Sequence, residues 1–340
     1  MQQWIGGEPH SPEPVNALSR AFWNSAVLRA GIRLGVFSLL SRENLTSEGV
    51  ARRLSANPRF TEAFLHACAA LGLLEVGSDG TFRNSPMAER FLVPGRQEYV
   101  GDLALHITNH WAVWGQLDEL IRQGRTLLAF ESGFVDAPTY WRDYMMGQHN
   151  RAISGQAQEL VKHVDLRGKR KLLDLGGGQG SYSIALAEAY PELIAINIDC
   201  KEALEIAREL VAQHNLQERV LLREGDIDTM ELDRDADVIL ISGVLLIKSE
   251  EESRRLLRRC YEALLPGGTI ILQDFFRIGT SPERRFLDTM MDLYVIVCFY
   301  SGGGDRDGDT IAGWLTDSGF SDPVQIPLPT HLALVVATKK

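Results

Sequence analysis

Apolar residues recur at helical spacing along the first third of the chain. After a leader, residues 1–14, carrying Gly6, Gly7, Pro9, Pro12 and Pro14, the stretch 15–40 holds Ala21, Phe22, Ala26, Leu28, Ala30, Ile32 and Leu34 with few polar positions between them. That pattern predicts helix buried in its own core or against another chain. Thr46 or Ser47 is placed to cap a short helix with Val50, Ala51 and Leu54 inward. Asn57-Pro58 turns the chain, and Phe60, Phe64, Leu65, Cys68 and Leu71 form a second stripe that Gly72 ends. Residues 73–76, a Ser78-Asp79-Gly80 turn and residues 81–83 predict a hairpin, with more helix after Pro86. Together they make a winged-helix arrangement over 15–98. Its candidate recognition helix, 59–71, offers Arg59, Thr61, Glu62 and His66 as polar residues. That is too little positive charge to grip phosphates, so the reading is dimerisation and not nucleic acid.

Residues 99–165 read as linker helices and a substrate-pocket region. An aromatic and histidine cluster, Tyr99, His106, His110, Trp111 and Trp114, lies on helix-like sequence over 99–125. A loop over 126–139 leads to one long helix over 140–164, capped by Pro138-Thr139. A turn at 166–169 opens the last domain, 166–340. Here strands predicted at 171–175, 193–199, 220–226, 236–242 and 267–274 alternate with helices. Two final strands, 323–328 and 331–339, follow. The spacing predicts an α/β domain with a mainly parallel sheet, an antiparallel edge, and a ligand crevice at the strand C-termini.

Lys plus Arg number 35 and Asp plus Glu 45, a net charge of −10, which disfavours nucleic acid or anionic membrane as partner. The cysteines, Cys68, Cys200, Cys260 and Cys298, are too widely spaced for a metal knuckle or a disulfide framework. The start has no basic and apolar signal regions, and no apolar run reaches membrane-span length. A cytoplasmic chain without a metal is the expectation.

The sharpest signal is Asp174-Leu175-Gly176-Gly177-Gly178-Gln179-Gly180, between a predicted strand and helix. Glycines there permit a tight turn and close approach of backbone to ligand. A dinucleotide fingerprint needs G-x-G-x-x-G. From Gly176 the sixth position is Ser181, and from Gly178 it is Ser183, so that register fails. The match is G-x-G-x-G with an aspartate two residues before it. An acid there is awkward for pyrophosphate and suits the ammonium of an amino-acid moiety. Asp199 closes the second strand, where it can bond ribose hydroxyls. Asp226, followed by Ile227, closes the third and can accept from an adenine amino group, with Ile198, Ile227 or Met230 against the base. Three acids at successive strand ends describe a nucleoside with a positive amino-acid tail, S-adenosylmethionine.

On these motifs, with GVFSLL, ANPRFTEAFLHACAALGLLEV, YMMGQHN, LLDLGGGQGSYSIALAEAYPEL, SRRLLRRCYEALLPGGTIILQD and the late GGG, the chain resembles a family. It is similar to the two-domain, small-molecule O-methyltransferases of the plant caffeate type and their bacterial relatives in polyketide and pigment pathways. The resemblance implies a class I methyltransferase domain, Rossmann-like with a mixed seven-stranded sheet, behind a winged-helix dimerisation domain, and a homodimer. It implies that Asp174, Gly176 and Gly178 hold the methionine end, Asp199 the ribose, and Asp226 with Ile227 the adenine. Ser242 joins this cofactor set, and His106, His110, Trp111, Tyr144, Met145 and Leu246 line the substrate pocket. The implied reaction is methyl transfer to oxygen or carbon of a small aromatic or cyclic acceptor. The alternatives are a divergent activity such as hydroxylation, or a non-catalytic dimer that binds the cofactor.

Family members acting on phenols carry a histidine base in a Leu-His-Asp-Trp-like motif. Here Leu246 stands at the histidine position, with Ile247 and Lys248 after it. A leucine accepts no proton. The acceptor is then ionised by its own acidity, attacks through carbon, or gives its proton to another residue: His149 is the first candidate, with His106, His110, and Asp292 or Tyr294 on the helix at 286–299 as the others. His106 and His110, four apart, would share a helix face. Lys248 reads as a surface residue, Ser249 as an N-cap with Glu252 completing a capping box, and Asp274, closing the fifth strand near the same crevice, as a helix cap.

Overall fold

The computed structural model describes residues 11–279 and 282–340. The residues of the leader before position 11 lie outside that range. Two compact units divide at Asn109 and His110, within the stretch read above as linker helices.

In the first unit the apolar stretch 15–40 forms three helices, Glu13–Arg20, Phe22–Arg33 and Val36–Leu40. Gly35, at φ 69°, sits in the left-handed region and separates the last two. Helix Glu13–Arg20 buries no residue of its own, and Val15, Leu18, Phe22 and Trp23 are exposed in the single chain. Thr46 caps helix Ser47–Leu54 by accepting from Gly49 N, and Asn57 caps Pro58–Ala70 through Phe60 N. Strands β1 (Leu74–Val76) and β2 (Phe82–Asn84) pair antiparallel, and Ser85 caps Pro86–Phe91. Phe37, Val50, Leu65, Cys68 and Phe82 fill the core of this winged helix.

The second unit holds a seven-stranded sheet of β3 (Lys171–Leu175), β4 (Ile194–Asp199), β5 (Val220–Glu224), β6 (Ala236–Ser242), β7 (Leu264–Asp274), β8 (Ser321–Pro327) and β9 (Ala333–Thr338). Its order is β5-β4-β3-β6-β7-β9-β8. The first five neighbours in that order are parallel, and β9 runs antiparallel to both β7 and β8. Helices cover both faces, so the central strands are apolar on both sides: Leu173, Ile239 and Leu272 pack in one core, Leu172, Leu240 and Ile271 in the other. Chain order reverses between β3 and β6. That switch point opens a crevice at their C-terminal ends.

Three local expectations change. The long helix is two, Ala137–Arg151 and Ala157–His163, joined by a π-type turn in which Gly155 takes φ 131°. Its cap is Asp136, whose Oδ1 accepts from Thr139 N at 2.9 Å, and not Pro138-Thr139. Helix Gly101–Thr108 ends before His110, which precedes the short helix Trp111–Trp114. His106 and His110 therefore do not share a helix face and belong to different units. No helix among the described residues is long and apolar enough to cross a membrane.

Candidate active site

The glycine turn leaves β3 at Leu175. Gly176, Gly178 and Gly180 all have positive φ, 73°, 56° and 79°, a conformation that side chains resist. Asp174 is fully buried, paired in register with Asn197 of β4. Its Oδ2 accepts from Ser183 Oγ at 2.7 Å, while Oδ1 has no hydrogen-bond partner. Burial pushes its carboxyl up to about 7, against the Ser183 bond that lowers it. Asn197 Nδ2 donates to Gly178 O at 3.0 Å, and its Oδ1 is likewise left open. Gly177 lies between the two: a Cβ there would collide with Asn197 Oδ1 and fall 2.6 Å from Asp174 Cγ. Asp199 accepts from Gly178 N at 2.8 Å and from Cys200 N at 2.7 Å. Two carboxyls and an amide oxygen thus surround a turn that has no room for a side chain at Gly177.

Asp226 is exposed and accepts from Asp228 N and Thr229 Oγ1, bonds that hold its carboxyl below the usual range. Ile227 and Met230 beside it are partly buried, whereas Ile198 is wholly inside the sheet. This loop is clamped by two cations. Arg259 donates to the carbonyls of Ile227 and Met230. Lys248 Nζ sits 2.5 Å from Asp228 Oδ2. Lys248 is therefore a buried, ion-paired residue and not a surface one.

Beyond β6, Ser242 Oγ accepts from Gln273 Nε2 at 3.1 Å. Leu246 is partly buried, its N–H donating to Asp274 Oδ2 at 3.2 Å and its carbonyl accepting from Gly304 N at 2.8 Å. Asp274 ends β7, buried, and accepts from Phe275 N at 2.9 Å as well as from Leu246 N, in the first turn of the short 3₁₀ helix Leu245–Ile247. Burial raises its carboxyl to about 7. Asp305, next to Gly304, has a side chain 2% exposed and an ion pair with Arg277 at 3.2 Å. Burial again raises it to about 7, and Asp288 and Asp292 add to that rise. Two acids of raised pKa thus stand close to Leu246 along the backbone network. Asp292 itself is exposed and accepts from Asp305 N at 2.9 Å.

His149 Nδ1 is 2.8 Å from Ser181 Oγ, at the start of the helix that follows the glycine turn. Burial lowers its pKa to about 4, so it is neutral at pH 7 and a weak proton acceptor. Tyr294 is buried against His110, Phe299 and Trp114, and burial raises its phenol well above 10. Tyr144 packs on Tyr140 and Phe299, Trp111 on Phe134, and Met145 lies beside Gly178. The structure thus gathers His110, Tyr144 and Tyr294 into one aromatic group, while His106 is buried in the other unit. Asn197, Ser183 and Asp305 were not singled out from sequence. The only local signals for them were a polar residue inside an apolar strand, a serine three past the turn, and an acid after three glycines.

An O-methyltransferase domain matches residues 114–321, and an O-methyltransferase dimerisation domain matches residues 16–94. The chain belongs to the O-methyltransferase family. This methyltransferase is 33% identical over 264 residues to N,N-dimethyltransferase OxyT of Streptomyces rimosus, covering 76% of each chain. It is 29% identical over 322 residues to the tetracenomycin polyketide synthesis 8-O-methyl transferase TcmO of Streptomyces glaucescens, covering 92% of this chain and 94% of that one. Its fold matches that of human N-acetylserotonin methyltransferase in complex with SAM, with TM-score 0.87 at 23% identity over 98% and 99% of the two chains. The enzyme is an S-adenosylmethionine-dependent methyltransferase, and its dimerisation domain makes it a homodimer. The site fits that cofactor chemically. Buried acceptors with open lone pairs, Asp174 Oδ1 and Asn197 Oδ1, suit an ammonium better than a pyrophosphate.

Proposed function

We propose that the methyltransferase acts on a small aromatic or cyclic metabolite, at an atom whose proton is taken by Asp274 and not by residue 246. The carrying observation is the apolar side chain of Leu246 with the buried carboxyl of Asp274 bonded to its backbone. A carboxyl raised to about 7 is matched to accepting a proton at neutral pH. His149, at about 4, is matched less well. In this reading Asp174, Gly176 and Gly178 take the amino-acid tail of the cofactor, Asp199 its ribose, and Asp226 with Ile227 its adenine. Ser242 supports Gln273 beside them. When bound, the cofactor supplies an activated methyl group on sulfur. The side chains place the acceptor, shut out water and remove its proton. The aromatic group around Tyr144 and Tyr294 suits a flat ring. A cytoplasmic location is part of the reading, supported by four unpaired cysteines.

A second reading, transfer to an amine nitrogen, is favoured by the kinship with OxyT, named as an N,N-dimethyltransferase. A neutral amine attacks without prior loss of a proton, so a leucine at 246 is no handicap.

The test uses cofactor carrying a deuterated methyl group and a panel of hydroxylated and aminated polycyclic aromatics. Mass and NMR spectra place the label on oxygen, carbon or nitrogen. With a phenolic acceptor, wild type should show a rising limb near pH 7, and Asp274→Asn should lose that limb and about 10²–10⁴-fold in rate. An unchanged limb in Asp274→Asn removes the base assignment. A limb that follows the pKa of an amine acceptor selects the second reading.

A further inference from the structure

Arg151 is the last residue of helix Ala137–Arg151, immediately before the π-type turn at 152–156. Its side chain is partly buried, yet among the described residues its guanidinium has no hydrogen bond and no ion pair. Its neighbours are aromatic. The guanidinium carbon lies 5.8 Å from the centre of the Phe275 ring. Its charge also reaches Tyr144, Tyr182 and Tyr294, drawing each phenol down while burial raises it.

Those neighbours fix where Arg151 stands. Phe275 follows Asp274 at the end of β7. Tyr182 is the second residue of the helix that leaves the glycine turn, and its hydroxyl donates to Gln156 of the π-type turn. Tyr144 feels the charges of Asp199 and Asp274. Arg151 is therefore a cation at the strand C-termini, beside the cofactor site. The nearby acids already have partners of their own. Asp174 is bonded to Ser183, Asp199 to Gly178 and Cys200, and Asp274 to Leu246 and Phe275. A guanidinium partly withdrawn from water loses hydration, and no carboxylate among the described residues pairs with it. Its planar fork matches a carboxylate through two parallel hydrogen bonds.

We propose that Arg151 is the carboxylate-binding residue of this crevice, completed by a ligand's anion. The carboxylate comes from the amino-acid tail of the cofactor or from an acidic acceptor. The inference rests on the cofactor site described above.

Calorimetric titration of wild type, Arg151→Met and Arg151→Lys separates the sources. The first pair of probes is S-adenosylhomocysteine and methylthioadenosine, which lacks the amino-acid tail. The second pair is 3-hydroxy-2-naphthoate and 2-naphthol, each added to protein saturated with S-adenosylhomocysteine. Arg151→Met should lower the preference for the carboxylate-bearing member of one pair about tenfold or more, and Arg151→Lys should restore part of it. A loss in the first pair assigns the cofactor's carboxylate, and a loss in the second assigns the acceptor's. If Arg151→Met leaves both preferences as in wild type, the proposal is overturned. Wild-type binding of S-adenosylhomocysteine tests the cofactor site without involving Arg151. Preferences are ratios within one variant, so a general loss of active protein cancels. Arg151→Gln carries the same comparison if the methionine variant does not fold.

Discussion

Asp174 combines complete burial with a carboxyl raised to about 7, and its Oδ1 is left open. In the unfolded chain the same group titrates near 4. Between those values the folded protein holds a proton that the unfolded chain has released, so Asp174 contributes stability that is present below pH 4 and lost as pH rises through 7. One extra bound proton is worth about 1.4 kcal/mol per pH unit. Asp174→Asn has no such group. The stability of ligand-free wild type relative to Asp174→Asn should therefore fall between pH 4 and 7 and level off above it. Urea unfolding of both proteins at each pH measures the difference. A constant difference would mean that Asp174 is ionised throughout. S-adenosylhomocysteine, whose ammonium favours the ionised form, should bind more tightly as pH rises through 7.

Among the elements, helix Glu250–Ala263 shows how far local sequence reaches. Ser249 and Glu252 form the reciprocal cap that their spacing predicts, Ser249 Oγ accepting from Glu252 N at 3.2 Å and Glu252 Oε2 accepting from Ser249 N at 2.8 Å. Ser249→Ala should cost about 1 kcal/mol in urea unfolding, without altering S-adenosylhomocysteine affinity. The seven strands and the glycine turn were legible for the same reason, since alternation, caps and glycine runs act over a few residues. Lys248, one position before the cap, was not legible. Its burial depends on Asp228, 20 residues earlier in the chain. The break at 152–156 was hidden because Gly155 reads as a tolerated helical glycine until its φ of 131° is seen. Asp305 owes its ion pair to Arg277, 28 positions away on a separate loop. The cofactor turn could be read because its residues are contiguous. Asp274 could be read as an acid at a strand end near the crevice, but its meeting with Asp305 around Leu246 could not, because the fold assembles the two from β7 and a distant loop.

For the whole molecule, the first unit as a single chain leaves its N-terminal helices incomplete. Helix Glu13–Arg20 buries none of its residues, yet Val15 and Leu18 lie on it, 68% and 57% exposed, and Phe22 and Trp23 follow at 62% and 56%. Four large apolar side chains in water within nine positions are unfavourable at about 25 cal/mol per Å². The dimerisation domain, beginning at position 16, spans Leu18, Phe22 and Trp23. We predict that a second copy of the chain covers them by a symmetric exchange in which each protomer buries the other's helix. Leu18→Asp with Trp23→Asp places charges in that contact without touching the core of the winged helix, where Phe37, Val50 and Leu65 lie. Sedimentation at micromolar concentration should show wild type as a dimer and the double variant as a monomer. Deleting residues 1–40 also removes Val36, Phe37 and Leu40 from the first unit's core, so that truncation should aggregate instead of giving a clean monomer. A dimer that survives both aspartates would move the interface away from residues 13–33 and onto another face of the unit.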